Sequence, residues 1–153
     1  MQILEARIPA PLVAALLAIG MWLLFYAESG YDTSGPWQSA AATAISLLSG
    51  AVALAAFAEF LRARTTIDPF KPERASTLVT RGVYRLTRNP MYVSLLLLLL
   101  VHAIHLWSPP ALAGPVAFVA YVTRFQIIPE ERALEAKFGA EFCEYKRRVR
   151  RWL

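Results

Sequence analysis

The chain sets its charged side chains directly against its most apolar stretches. Arg88-Asn89-Pro90 stands immediately before the leucine-rich run Met91–Trp107, and Pro129-Glu130-Glu131 stands immediately after the apolar run Pro110–Ile128. An arginine at such a boundary can hold a carboxylate. A pair of carboxylates can hold a cation, or take a proton from an amine or phenol. Arg124 lies inside the Pro110–Ile128 run, where an unpaired ionisable group costs roughly 2.5 kcal/mol or more. Glu131 is seven residues further on, hence on the same face of a regular helix, and Glu130 is beside it, so an ion pair within the membrane is expected. The plain structural alternatives are that Arg124 snorkels to the interface and that the two glutamates cap a helix start.

Other polar groups carry less. His102 and His105 share a helix face, as a metal pair would, but no Cys, Asp or third His accompanies them, so polar residues near a helix end are preferred to metal ligands and no metal site is expected. A single cysteine, Cys143, cannot form an intrachain disulfide. The sequence has no Gly-x-Gly-x-x-Gly, Walker loop or nucleophile elbow, which excludes a soluble nucleotide-binding or hydrolase domain.

The elements that must position these groups follow from composition. Of the 153 residues, 57% are hydrophobic and 18% charged, outside the usual range of soluble domains. Four apolar runs, Pro9–Tyr26, Gln38–Leu61, Met91–Trp107 and Pro110–Ile128, are each near the roughly 20 residues that cross a bilayer. The first has no basic cluster ahead of it and no cleavage site before a polar mature domain, so it is read as a retained helix. The expected fold is an all-α integral membrane protein with four transmembrane helices and a cytoplasmic, interfacial, amphipathic C-terminal helical tail.

Positive charge collects in two places. Arg62, Arg64, Lys71, Arg74, Arg81, Arg85 and Arg88 lie between the second and third runs, and Arg132, Lys137, Lys146, Arg147, Arg148, Arg150 and Arg151 follow the fourth. The connections Glu28–Trp37 and Ser108-Pro109 carry no Lys or Arg. The positive-inside rule then makes the N-terminus, the 62–90 loop and the tail cytoplasmic. Membrane-flanking charge accounts for the basic residues, so a nucleic-acid partner is not expected.

Residues 1–61 are read as a two-helix scaffold, and residues 62–153 as the catalytic part of one structural domain. Ser46, Ser49, Gly50, Ala53 and Ala56 let the second helix approach a neighbour closely, within one chain or between two, so the oligomeric state is left open. Ser108-Pro109-Pro110 is so short that the third and fourth helices must form an antiparallel hairpin, which brings Arg88-Asn89-Pro90 next to Pro129-Glu130-Glu131. Pro90 suits the first turn of a helix and leaves the other first-turn N–H groups free for an anion. In the tail, Leu134, Phe138, Phe142, Tyr145, Val149 and Trp152 recur at helical intervals, and Gly139 interrupts them, so two short helices with a bend are as compatible as one.

The ordered set Gly82-Val-Tyr84, Arg88-Asn-Pro-Met-Tyr92, Pro129-Glu-Glu-Arg-Ala-Leu134, Phe138-Gly139 and Tyr145 through Val149-Arg-Arg-Trp152 resembles the isoprenylcysteine carboxyl methyltransferases and, more widely, the phospholipid methyltransferase superfamily. The resemblance covers about residues 65–153. It implies S-adenosylmethionine enclosed at the cytoplasmic face by the C-terminal helices and tail, with a lipophilic acceptor entering from the bilayer. Cofactor contacts are then expected from Tyr84, Asn89, Pro90, Tyr92, Glu130, Glu131, Leu134 and Phe138, and catalytic roles from Arg88, Arg124 and Glu131. Better known members have His where this chain has Asn89; an amide can donate to a carboxylate but cannot titrate. The expected reaction is O-methylation of a carboxylate, with N-methylation of a phospholipid or amine as an alternative. A non-catalytic membrane accessory protein is a further reading. A sterol-reductase-like protein using NADPH is another, for whose substrate cavity four crossings are few. The compact chain has the look of a bacterial inner-membrane protein, and the acceptor's identity is left open.

Overall fold

The computed structural model describes residues 8–29, 35–63 and 77–153, and every regular element among them is helical. Helices α1 (Ala10–Ser29) and α2 (Pro36–Ala63) come first, followed by a short 3-10 turn at Gly82–Arg85 and helix α3 (Pro90–Leu106). A second 3-10 turn, Pro109–Leu112, leads into α4 (Ala113–Val122), a π-helical turn at Thr123–Ile127, α5 (Ile128–Phe138) and α6 (Ala140–Arg148). The expected basic residues Arg64, Lys71 and Arg74, with Asp68 and Glu73, lie outside the described residues, as do residues 30–34 of the Glu28–Trp37 connection.

Helix α3 is the centre of the bundle. It packs against α2, α1 and α4, and α1 also packs on α4. The α1–α3–α4 core contains Val13, Ala14 and Met21 with Leu99, Ala103, Leu106, Phe118 and Val122. After Gln38 near its start, the buried residues of α2 are small, Ala42, Ser49 and Ala56, and their size allows the backbones of α2 and α3 to approach. Ser49 Oγ donates to the Ser94 carbonyl at 2.8 Å, so the contact carries a hydrogen bond. Of the other small residues expected at this contact, Gly50 is exposed. On the outside, Leu23, Leu24, Leu47, Leu54 and Leu61 are exposed. Helices this apolar around their circumference suit a hydrocarbon surround.

Two helices are long and apolar enough to cross a membrane by length and composition, Pro36–Ala63 and the continuous rod Pro109–Phe138; the apolar helices Ala10–Phe25 and Pro90–Leu106 are shorter. The expected hairpin is present, and the turn between its arms is sharp because Trp107 ends α3 in the left-handed region, at φ 46°. His102 contacts the Ala18 carbonyl at 3.0 Å, tying α3 to α1, and His105 contacts the Val101 carbonyl of its own helix at 2.9 Å.

Two local features aim the site residues. Pro129 has no N–H to offer and would clash within a regular helix; immediately before it the helix widens into the π turn Thr123–Ile127. One extra residue in the turn rotates everything after it by about 100° relative to a regular helix, so the regular spacing between Arg124 and Glu131 no longer holds. The second feature is Gly139, which separates α5 from α6 with φ at 52°.

Candidate functional site

A cavity of about 600 Å³ opens where the start of α3, the end of the rod and the tail converge. Its walls are largely apolar, with Phe60, Leu78, Leu95, Ile127, Leu134 and Phe142 among them, and its polar groups include Tyr84, Arg88, Asn89, Tyr92, Glu130, Glu131 and Tyr145. Helix α2 and the start of α1 also contribute, through Ala53, Phe60 and residues 9–11, so the N-terminal segment forms part of the wall.

The hairpin brings the two charged motifs together. Arg88 Nη2 lies 3.0 Å from Glu131 Oε1, and the Tyr92 hydroxyl donates to Glu130 Oε1. Glu131 is also gripped from the tail, Arg151 Nε donating to Oε1 at 3.0 Å and Nη2 to Oε2 at 2.7 Å. That hydrogen-bonded pairing pushes the Arg151 guanidinium further up. Arg88 and Glu131 are almost buried, at 11% and 13% side-chain exposure, and Arg88 Nε and Nη1 are buried with no hydrogen-bond partner among the described residues. A buried donor left unsatisfied costs about 1–3 kcal/mol or more when charged, so an acceptor placed against these two nitrogens would be stabilising.

The aromatic side of the site is fixed by the 3-10 turn. Gly82 begins it at φ 56°, and a Cβ there would fall on the Glu59 side chain. Tyr84 is edge-on to Phe60 at 5.6 Å, and its carbonyl accepts the Tyr145 hydroxyl at 2.7 Å. Burial pushes both phenols far above the ordinary tyrosine range, so both remain protonated donors at neutral pH. Below them, Phe142, Tyr145 and Val149 form a small core with Leu78, Leu134 and Phe138. The apolar stripe of the tail is therefore used to close the cavity from beneath.

Residues 149–152 act as a strap across the start of α3. Arg88 N–H donates to the Arg150 carbonyl at 3.0 Å, and the Arg151 carbonyl accepts Thr87 Oγ1 at 3.1 Å and Asn89 Nδ2 at 2.9 Å. Trp152 Nε1 donates to Thr123 Oγ1 at 3.1 Å, in the π turn. The Asn89 side chain, a candidate cofactor donor, thus has a backbone partner in the strap. The first turn of α3 spends its Tyr92 and Val93 N–H groups on the Asn89 carbonyl.

Of the candidate residues, Tyr84, Arg88, Asn89, Pro90, Tyr92, Glu130, Glu131 and Leu134 all line the cavity. Phe138 packs in the small core behind it. Arg124 is not among the lining residues and sits 5.4 Å from the Phe125 ring centroid. Sequence reasoning missed Arg151 as a partner of Glu131 and Gln126 as a wall residue, its Nε2 tied to the Ile8 carbonyl at 2.6 Å. The tail motif Val149-Arg-Arg-Trp152 was the available signal for the first; for Gln126 there was none beyond its polarity in an apolar run.

The family model for phospholipid methyltransferases matches residues 37–141. The chain belongs to this family. The match takes in α2, α3 and the rod, and so most of the cavity wall. Two Arabidopsis thaliana proteins, protein-S-isoprenylcysteine O-methyltransferase B and A, are 34% and 37% identical over 91 residues, which is 58% of this chain and 45% of each of theirs. The chain therefore spans about half the length of these plant members. An uncharacterised Haemophilus influenzae protein is 48% identical over 63 residues, 41% of this chain and the whole of the other. No solved structure matches the chain.

Proposed function

We propose that the cavity binds S-adenosylmethionine at its polar end and a lipophilic acceptor along its apolar wall, and that the protein methylates a carboxylate on that acceptor. The observation that carries this is the buried Arg88, with two side-chain nitrogens lacking partners among the described residues, lining the same largely apolar cavity as Glu130. The donor set fits the cofactor. Arg88 would hold its carboxylate, Glu130 its ammonium, and Leu134 and Phe142 its adenine. Glu131, with both oxygens engaged by arginines, is an organiser of the polar end, while Tyr92 orients Glu130.

S-adenosylmethionine, when bound, supplies a methyl group on a sulfonium, and a carboxylate acceptor takes it through an oxygen lone pair while the sulfide leaves neutral, so no base is required. The protein's part is to align two partners and exclude water, a contribution that can supply much of the acceleration. The aromatic and leucine side chains of the cavity keep water out, and Tyr84 and Tyr145 close its floor without adding charge.

In this reading all four hydrophobic segments cross the bilayer, α3 and the rod as a hairpin, with both termini and the site on the cytoplasmic side of a bacterial inner membrane. The names of the plant relatives support a carboxylate acceptor, and the apolar wall supports a lipophilic one. An amine acceptor is the second reading, supported by the family's name; Glu130 would then serve as base. Calorimetry on the protein in nanodiscs, with S-adenosylmethionine and NADPH in parallel, separates the possibilities. Binding of S-adenosylmethionine alone, weakened at least about tenfold by Glu130→Gln, is the expected result. Binding of neither overturns the enzyme reading in favour of a membrane accessory protein, and binding of NADPH alone favours a reductase.

A further inference from the structure

Glu131 faces two guanidinium groups, and the two arginines do not contact it equally. Arg151 engages both carboxylate oxygens, at 3.0 and 2.7 Å, whereas Arg88 reaches only Oε1, through Nη2 at 3.0 Å. A carboxylate next to a single arginine would draw it into a closed two-point pair. Here Arg151 already occupies that geometry, and Arg88 keeps its Nη2 contact to Glu131 and two buried nitrogens without partners among the described residues. Around Glu131 itself, two guanidinium groups face one carboxylate.

We infer that Arg151 is a positioning residue: by saturating Glu131 it leaves the Arg88 guanidinium open toward the cavity, so that the site selects a ligand carboxylate. The inference rests on the proposed cofactor and acceptor, and it adds to them a residue of the tail that does not line the cavity. The carboxylate has two sources, the cofactor or the acceptor. The strap makes the side chain separable from the fold. Arg151 is held by its own carbonyl, which accepts from Thr87 and Asn89, and its neighbour by the Trp152 bond to Thr123. A change of the Arg151 side chain leaves those bonds in place.

The test is calorimetry in nanodiscs with four probes: S-adenosylmethionine, decarboxylated S-adenosylmethionine, oleate and oleyl alcohol. Arg151→Gln should weaken one carboxylate-bearing probe by about tenfold or more, the scale of one charged hydrogen bond, and leave its carboxylate-free counterpart unchanged. Loss confined to S-adenosylmethionine assigns the carboxylate to the cofactor, and loss confined to oleate assigns it to the acceptor. Arg151→Lys, which keeps the charge but gives up the fork, should fall between wild type and Arg151→Gln. Arg148→Gln removes the same charge from an exposed position, 69% exposed at its side chain, and should change nothing. Equal loss for a probe and its carboxylate-free counterpart would mean that Arg151 is merely structural and would overturn the inference. So would unchanged binding of both carboxylates, or an equal effect of Arg148→Gln. Wild-type protein that binds no S-adenosylmethionine fails the proposed function itself, a distinct result that removes the premise of this inference as well.

Discussion

Glu131→Gln is the perturbation whose size the structure sets most clearly. The change is nearly isosteric, and it removes the negative charge from a carboxylate that makes three short contacts, at 3.0, 3.0 and 2.7 Å, with two arginines. At 13% exposure of Glu131 and 11% of Arg88, water replaces little of the lost attraction, and the two guanidinium groups are left facing each other. Breaking a buried pair on one side costs about 3–5 kcal/mol. For a chain of this size each kcal/mol shifts a melting midpoint by about 2–4 °C, so the expected fall is on the order of 10 °C. The ion pairs Glu135–Lys146 and Glu144–Arg148 supply the controls. Their side chains are 46% and 32% exposed in the first and 65% and 69% in the second, and exposed pairs contribute about 0–1 kcal/mol. Thermal unfolding in nanodiscs near pH 7.5, followed by intrinsic fluorescence, compares Glu131→Gln with Glu144→Gln. If the two variants melt within a degree or two of each other, the polar end is solvated and the reasoning from burial is wrong.

Three further outcomes follow from individual contacts. Phe118 has no exposed surface, so Phe118→Ala should destabilise the α1–α3–α4 core by about 3–5 kcal/mol, read as an earlier melting transition with the secondary structure unchanged at low temperature. Gly82→Ala meets both a positive φ of 56° and the Glu59 side chain; it should cost about 1–3 kcal/mol and lower affinity for S-adenosylmethionine by displacing Tyr84, whereas Gly82→Ala combined with Glu59→Ala should recover part of the loss. The Cys143 thiol is pushed up chiefly by its hydrogen bond to Glu135, at 3.3 Å, so its alkylation by iodoacetamide near pH 8 should be slower than that of a free cysteine and should speed up in Glu135→Gln.

Much of the architecture was legible because it is written in long patterns. The leucine wall after Pro90 and the brief Ser108-Pro109-Pro110 connection required a hairpin, and the hairpin required Arg88 and Glu131 to be neighbours; they lie 3.0 Å apart. Gly139 left one tail helix or two with a bend equally open, and the structure takes the bend, at a φ of 52° that few other residues adopt without strain. What escaped depends on single backbone choices. The π turn before Pro129 has no composition of its own, yet it alters the relation between Arg124 and Glu131 that a regular helix would impose. Arg151 reads as one more solvated charge in a basic tail, and only the folded strap turns it onto Glu131. Asn89 was legible as a residue of the site, but its amide serves the Arg151 carbonyl at 2.9 Å, a contact across more than half the chain length of the matched region that no local spacing encodes.

The central claim is that this cavity brings a methyl donor and a membrane-dissolved carboxylate together. The direct measurement is incubation of the protein in native-like membranes with S-adenosylmethionine labelled in its methyl group, followed by organic extraction and mild alkaline treatment. The expected result is label in the lipid phase that alkali releases as methanol, with Glu130→Gln and Arg88→Ala reducing it at least about a hundredfold. Label that resists alkali would assign the transfer to nitrogen. The absence of label from the lipid phase, or label that both variants transfer as well as wild type, would contradict the claim.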